Sequence, residues 1–162
     1  MRGNGKLFFL SGKMGAGKST YAIKLSANNH SILLSEDVLL SSLYPNEINN
    51  IGDYVSYSLR IKPFVKELVQ SYIVRGIDVV MDFPGNTVKQ RKWFKELIID
   101  TKADHTMTYL KVDDEVCLEH LMKRRLESPE RHKFDTEEVY FQMKNHFQEP
   151  LPNEGFNLEI LE

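Results

Sequence analysis

Residues Gly12-Lys13-Met14-Gly15-Ala16-Gly17-Lys18-Ser19, followed by Thr20, match the pattern G-x-x-x-x-G-K-[ST]. The pattern demands a strand before it and a helix after it, and both flanks comply. Leu7-Phe8-Phe9-Leu10 is a continuous apolar run, suited to a strand buried on both faces. Tyr21 to Leu25 contains no Pro or Gly and is compatible with a helix. Gly12, Gly15 and Gly17 can take positive φ and leave no Cβ between backbone and phosphate. The amides of Gly12 to Thr20 then form an anion nest at a helix N-terminus. In such a nest Lys18 bridges the β- and γ-phosphates of a nucleotide, and the Ser19 hydroxyl ligates Mg²⁺. Lys13 has two readings, a solvated side chain or a second cation over the γ-phosphate.

The chain has 162 residues, enough for one domain over 1–162 with a sizeable core. A formal net charge of −2 provides no global basic field for a long nucleic acid. The single Cys117 excludes an intrachain disulfide and a thiolate zinc cluster. The five histidines form no i,i+4 pair with an intervening Glu and read as surface or hydrogen-bonding residues. The first six residues are polar and leave no room for a signal peptide, and no apolar run reaches the length of a membrane span. The expectation is a cytoplasmic protein with no membrane association.

Strand and helix patterns alternate along the chain. The first helix is expected from Lys18 to about Ala27, and a short strand over Ser31–Leu34 ends at Ser35-Glu36-Asp37. The carboxyl ends of parallel strands form the ligand crevice of an open sheet. Asp37 therefore reaches the phosphates if its strand neighbours the first one. It is either a helix N-cap or a general base for an attacking hydroxyl. Glu36 is the weaker choice, because neighbouring side chains leave a strand end in opposite directions. Ser41 to Gly52 reads as a mobile loop, and a long helix capped by Asp53 follows, kinked or restarted at Pro63. Tyr54 and Tyr57 on its first turns are packing residues or one wall of an acceptor pocket.

A third strand, Ile77–Met81, ends at Asp82, where a carboxylate would hold Mg²⁺ directly or through water. Arg91, in the helix from Val88 to Ile99, either orients that site, binds a phosphate or is solvated helix surface. After a fourth strand over His105–Val112, a helix carries Leu118, Leu121, Met122 and Leu126 on one face. Arg125 falls within that stripe and Arg124 roughly opposite, so Arg125 is the expected phosphate ligand. The polar, basic-leaning segment at about 127–135 reads as a lid, with Arg131 as an arginine finger. A helix after Asp135 and a last strand over Phe156–Leu161 close the chain. The order implies an α/β fold, a five-stranded parallel sheet with helices on both faces.

Taken together, these features resemble the small ATP-dependent phosphotransferases that group with zeta toxins, chloramphenicol phosphotransferase and the kinase domain of polynucleotide kinases. They also resemble a set of AAA-type ATP-binding proteins. The resemblance rests on Gly12 to Ser19, Asp37, Val79-Val80-Met81-Asp82 with Asn86-Thr87 and Arg91, and the Arg125/Arg131 lid. His132-Lys133-Phe134 and Pro150 to Phe156 resemble the AAA-type set in particular. It implies a three-layer P-loop NTPase, nucleoside-kinase-like fold, ATP with Mg²⁺, transfer to a hydroxyl, Asp37 as base and lid arginines on the phosphates. Polynucleotide-kinase-like members usually carry an Arg three residues after this Asp. Leu40 stands there, which argues against a nucleic-acid acceptor.

The expected activity is an ATP-dependent kinase acting on a small molecule. Two alternatives stay open. One is a nucleotide or nucleoside kinase whose acceptor pocket lies along Asp53 to Tyr72. The other is a slow NTPase serving as a regulatory binding protein, with a protein partner on the Ser41 to Gly52 loop.

Overall fold

The computed structural model describes residues 3–162. Its elements run β1 (Leu7–Ser11), α1 (Lys18–Asn29), β2 (Ile32–Ser35), α2 (Glu36–Leu43), α3 (Ile51–Ile73), β3 (Val79–Pro84) and α4 (Val88–Thr101). They continue with β4 (His105–Leu110), α5 (Asp114–Glu127), α6 (Glu137–His146) and β5 (Leu158–Leu161). Short 3-10 turns occupy Pro129–Lys133 and Pro152–Glu154. The strands form one sheet in the order β2-β3-β1-β4-β5, with every pair parallel.

Period-two alternation sends β1 and β3 side chains to opposite faces. Leu7, Phe9, Val79 and Met81 pack with Ile61, Val65 and Val69 of α3 and with Phe94 and Leu97 of α4. Phe9 and Phe94 stack with ring centroids 4.3 Å apart. On the other face, Leu10 and Val80 bury Ala22 of α1. Ala16, Leu110, Cys117, Leu121 and Tyr140 form a third cluster, which presses α5 and α6 against the loop after β1. Helices thus cover both faces. Among the described residues, no helix is long and apolar enough to cross a membrane.

Several local expectations need correction. The segment from Ser41 is not all loop, because α2 runs to Leu43 and α3 starts at Ile51. Asn50, not Asp53, caps α3: its Oδ1 accepts from the Asp53 amide at 2.9 Å, and Asp53 Oδ2 accepts in return from the Asn49 amide at 3.0 Å. Pro63 lies inside a continuous helix. Pro63 is exposed and Leu59, four residues back, is 57% exposed, so the carbonyl that loses its partner can turn to water. Asp82 does not end its strand, since β3 continues to Pro84 past a register shift opposite Leu10.

Arg91 is neither surface nor phosphate ligand. It is 0% exposed and forms a bidentate pair with Glu154, at 2.7 and 2.8 Å, while also donating to the carbonyls of Gly85 and Gln148. The pair pins the segment before β5 to the turn after β3.

Candidate active site

The loop after β1 is shaped by two left-handed glycines, Gly15 at φ 78° and Gly17 at φ 93°. A Cβ on Gly15 would sit 2.6 Å from the Cys117 carbonyl oxygen, so α5 presses directly on the loop. From the same helix, His120 Nδ1 lies 2.7 Å from the Gly15 carbonyl oxygen. α1 begins at Lys18 with no side-chain cap, which leaves its first amides open to an anion. Ser19 and Thr20 are exposed there, Met14 also lines the crevice, and Ala16 is buried beneath it. The Gly12 amide donates instead to Asn86 Oδ1 at 3.0 Å, which ties the loop to the turn after β3.

Lys18 Nζ donates to the carbonyls of Gly12 and Lys13 at 2.5 and 2.9 Å. Burial lowers its pKa from 10.5 to about 8, against the opposing pull of Asp82. Lys13 is not the solvated side chain of its first reading, and it lines the crevice. Its side chain is 17% exposed and its ammonium sits 2.5 Å from Asp114 Oδ1. Tyr140 donates to the same oxygen at 2.7 Å, and Lys144 pairs with Oδ2. Lys13 and these two partners hold the Asp114 carboxyl well below the usual range.

Asp37 reaches the crevice although β3 separates β2 from β1. Ser35 of β2 is in register with Asp82 of β3, and α2 starts at once, placing Asp37 beside Asp82. Its charge is felt by Lys18, Asp82 and Arg131 alike. Asp37 is not the helix cap, because Ser35 caps α2. Glu36 belongs to the site too, since both carboxylates lie on the first turn of α2 rather than on a strand. Tyr54 OH is 2.6 Å from Asp37 Oδ1 and 2.9 Å from Glu36 Oε2, and Ser58 bonds Glu36 Oε1. Burial raises the pKa of Glu36 and, aided by the two carboxylates, that of Tyr54.

Burial pushes the Asp82 pKa up, the nearby Ser19 hydroxyl opposes it, and the Asp37 charge adds to the rise. A hydroxyl with two neighbouring carboxylates is a hard-oxygen donor set that a small divalent cation would stabilise. Among the described residues, no three His, Cys, Asp or Glu form a ready-made cage. A divalent cation held there would take its remaining ligands from water and substrate phosphates.

Arg124 on α5 and Arg131 in the 3-10 turn after it are organised by Asp135, which is 1% exposed. Arg124 binds it through two contacts of 2.6 Å, and Arg131 through contacts of 2.7 and 3.2 Å. Burial pushes the Asp135 carboxyl up, but Arg124 and Arg131 outweigh it and hold the pKa low. Both arginines line the crevice, and Arg125 does not. The expected stripe is not the buried face: Met122 is 53% and Leu126 78% exposed. The buried line of α5 is Cys117 and Leu121, and Arg124 follows at i+7 from Cys117. Lys133, in the same 3-10 turn as Arg131, reaches the α2–α3 connection, its ammonium 3.5 Å from Asn49 Oδ1.

Residues 7–150 match the family described as an AAA domain (AAA_33). The chain belongs to that AAA domain family. Its fold recurs in solved structures. An APS kinase, CysC of Mycobacterium tuberculosis in complex with AMPPNP and APS, superposes with a TM-score of 0.66 at 17% identity, over 98% of this chain and 88% of that one. Kti12 of Chaetomium thermophilum in complex with ADP-AlF3 gives 0.66 at 18% identity, over 96% and 88%. A sugar kinase from Janibacter sp. gives 0.59 at 13%, over 97% and 84%. Comparison with curated proteins finds no match. The AAA domain of this chain therefore has the P-loop, kinase-like α/β fold.

Two measurements follow. Arg124→Ala should weaken nucleotide binding about tenfold, the worth of one charge-assisted contact, while Arg125→Ala should leave it unchanged in a fluorescent-nucleotide titration. With a pKa of about 8, Lys18 is about half neutral at pH 8, and a bound phosphate raises that pKa. Nucleotide binding at pH 8 should then take up about half a proton, read by calorimetry in buffers of different ionisation enthalpy.

Proposed function

We propose that this protein is an ATP- and Mg²⁺-dependent kinase that transfers the γ-phosphoryl group to a hydroxyl of a small molecule, with 1–162 acting as one domain. One observation carries this reading. Asp37 shares an electrostatic cluster with the phosphate-loop Lys18, the Mg²⁺-type carboxylate Asp82 and the lid Arg131. The cavity around that cluster measures about 1620 Å³. Single-ligand pockets are about 300–1,000 Å³, so the space suits a nucleotide and an acceptor together. The kinases among the structures of the same fold, one of them holding AMPPNP and APS together, support the reading.

In this mechanism the amides of the loop and of the first turn of α1 bind the nucleotide phosphates. Ser19 and Asp82 would hold Mg²⁺, which would neutralise charge on the phosphate oxygens. Tyr54 occupies Oδ1 of Asp37 and leaves Oδ2 for the acceptor hydroxyl. That hydroxyl oxygen attacks the γ-phosphorus, the bond to the β-bridging oxygen breaks, the proton passes to Asp37 and ADP leaves. Arg124 and Arg131, aligned by Asp135, offset charge on the transferring group, and the lid excludes water.

Asp37→Asn should keep ATP affinity and reduce transfer about 10²–10⁴-fold, the range for a lost general base. Binding and turnover are measured separately. Loss of ATP binding with the same substitution would make Asp37 structural and contradict its role as base.

A further inference from the structure

Ten basic and five acidic side chains line the crevice, in a chain whose formal net charge is −2. Eight of the ten cations come from the phosphate loop, α1 and the α5–α6 region, where a nucleotide's phosphates would lie. The other two do not. Lys62 stands on α3 and Lys89 in the first turn of α4, on the β2–β3 side of the crevice. The nucleotide phosphates leave this pair without a role.

Lys62 is half-buried. Its ammonium lies 5.3 Å over the centroid of the Trp93 ring, a cation–π contact that holds it in place. Neither Lys62 nor Lys89 makes an ion pair with any described residue. The carboxylate nearest in effect, Glu36, has both oxygens engaged, Oε1 by Ser58 and Oε2 by Tyr54. Burial lowers the pKa of Lys62, the charge of Glu36 partly offsets this, and the like charge of Lys89 lowers it further. Two cations converging on one wall, one of them half-buried and unpaired, are unfavourable unless an anion joins them.

We propose that Lys62 and Lys89 form an anion subsite for the phosphoryl acceptor, so that the acceptor is a hydroxyl compound bearing its own phosphate, sulfate or carboxylate group. This rests on the kinase reading of the same crevice. The acceptor's anionic group sits against Lys62 and Lys89, and its hydroxyl faces Asp37, one helical turn or more away across Tyr54 and Ser58. The subsite also separates the acceptor classes: a neutral sugar or nucleoside leaves both lysines uncompensated, whereas its phosphorylated or acidic counterpart does not.

Trp93 is the sole tryptophan of the chain and lies under Lys62, so it reports on this subsite directly. With the nucleotide site saturated by Mg²⁺-AMPPNP at constant ionic strength, inorganic phosphate, sulfate and acetate are titrated separately against Trp93 fluorescence. The expected result is a saturable change with at least one of them, weakened about tenfold in Lys89→Gln and in Lys62→Gln, as for one lost charge-assisted contact. Lys89 is exposed, so its variant keeps the test informative if Lys62→Gln misfolds. A flat response in the parent protein, or a response unchanged in Lys89→Gln, would overturn the subsite. Nucleotide binding is followed in parallel with a fluorescent ATP analogue: its failure would strike the kinase reading, whereas its success beside a flat Trp93 response would strike only the anion subsite.

Discussion

A buried niche under a glycine-rich turn is an unfavourable resting place for a charge, even for an ammonium that donates to two backbone carbonyls. Lys18 occupies it, with burial lowering its pKa to about 8. The rest of the site is arranged around that constraint. β1 must be buried on both faces to fix the loop, and α5 must lie close enough that only glycine fits at position 15. Asn86 must reach from the turn after β3 to hold the Gly12 amide. An anion brought to the open amides of α1 supplies what Lys18 lacks, so binding free energy and the relief of a buried charge are one term.

Around this centre, excess positive charge is held in place by acidic hubs. Asp135 gathers Arg124 and Arg131, and Asp114 gathers Lys13 and Lys144 with help from Tyr140. Each hub joins two basic groups to one carboxylate and leaves net positive charge beside the crevice. On the opposite side Tyr54 joins Glu36 to Asp37 and fixes their geometry. The site is thus preorganised by second partners, the arrangement that electrostatic stabilisation of a transferring phosphoryl group requires.

Much of this was legible in the sequence because it is local. The phosphate loop is one contiguous motif, and Asp37 and Asp82 stand out at the ends of short apolar runs. The alternation of strand and helix patterns is enough to imply a parallel sheet with two covered faces. What stayed hidden depends on contacts between distant segments or on which helix face is buried. Arg91 meets Glu154 63 residues away, and Asn86 meets Gly12 74 residues away. Nothing in either segment announces the other. Arg125 was favoured over Arg124 because Met122 and Leu126 looked like core, yet both are exposed. Glu36 was discounted by strand geometry, although it sits on a helix, where adjacent side chains diverge by about 100° rather than about 180°.

In the proposed reaction the γ-phosphoryl group passes to a hydroxyl and not to water. Phosphorus-31 NMR tests it most directly. The protein is incubated with Mg²⁺-ATP and a small-molecule cell extract, and the spectrum is followed as ATP is consumed. Transfer to a hydroxyl gives a new phosphomonoester resonance that grows with ADP and is absent without the protein. ATP consumed to ADP and inorganic phosphate alone, at a rate the extract does not change, would contradict it.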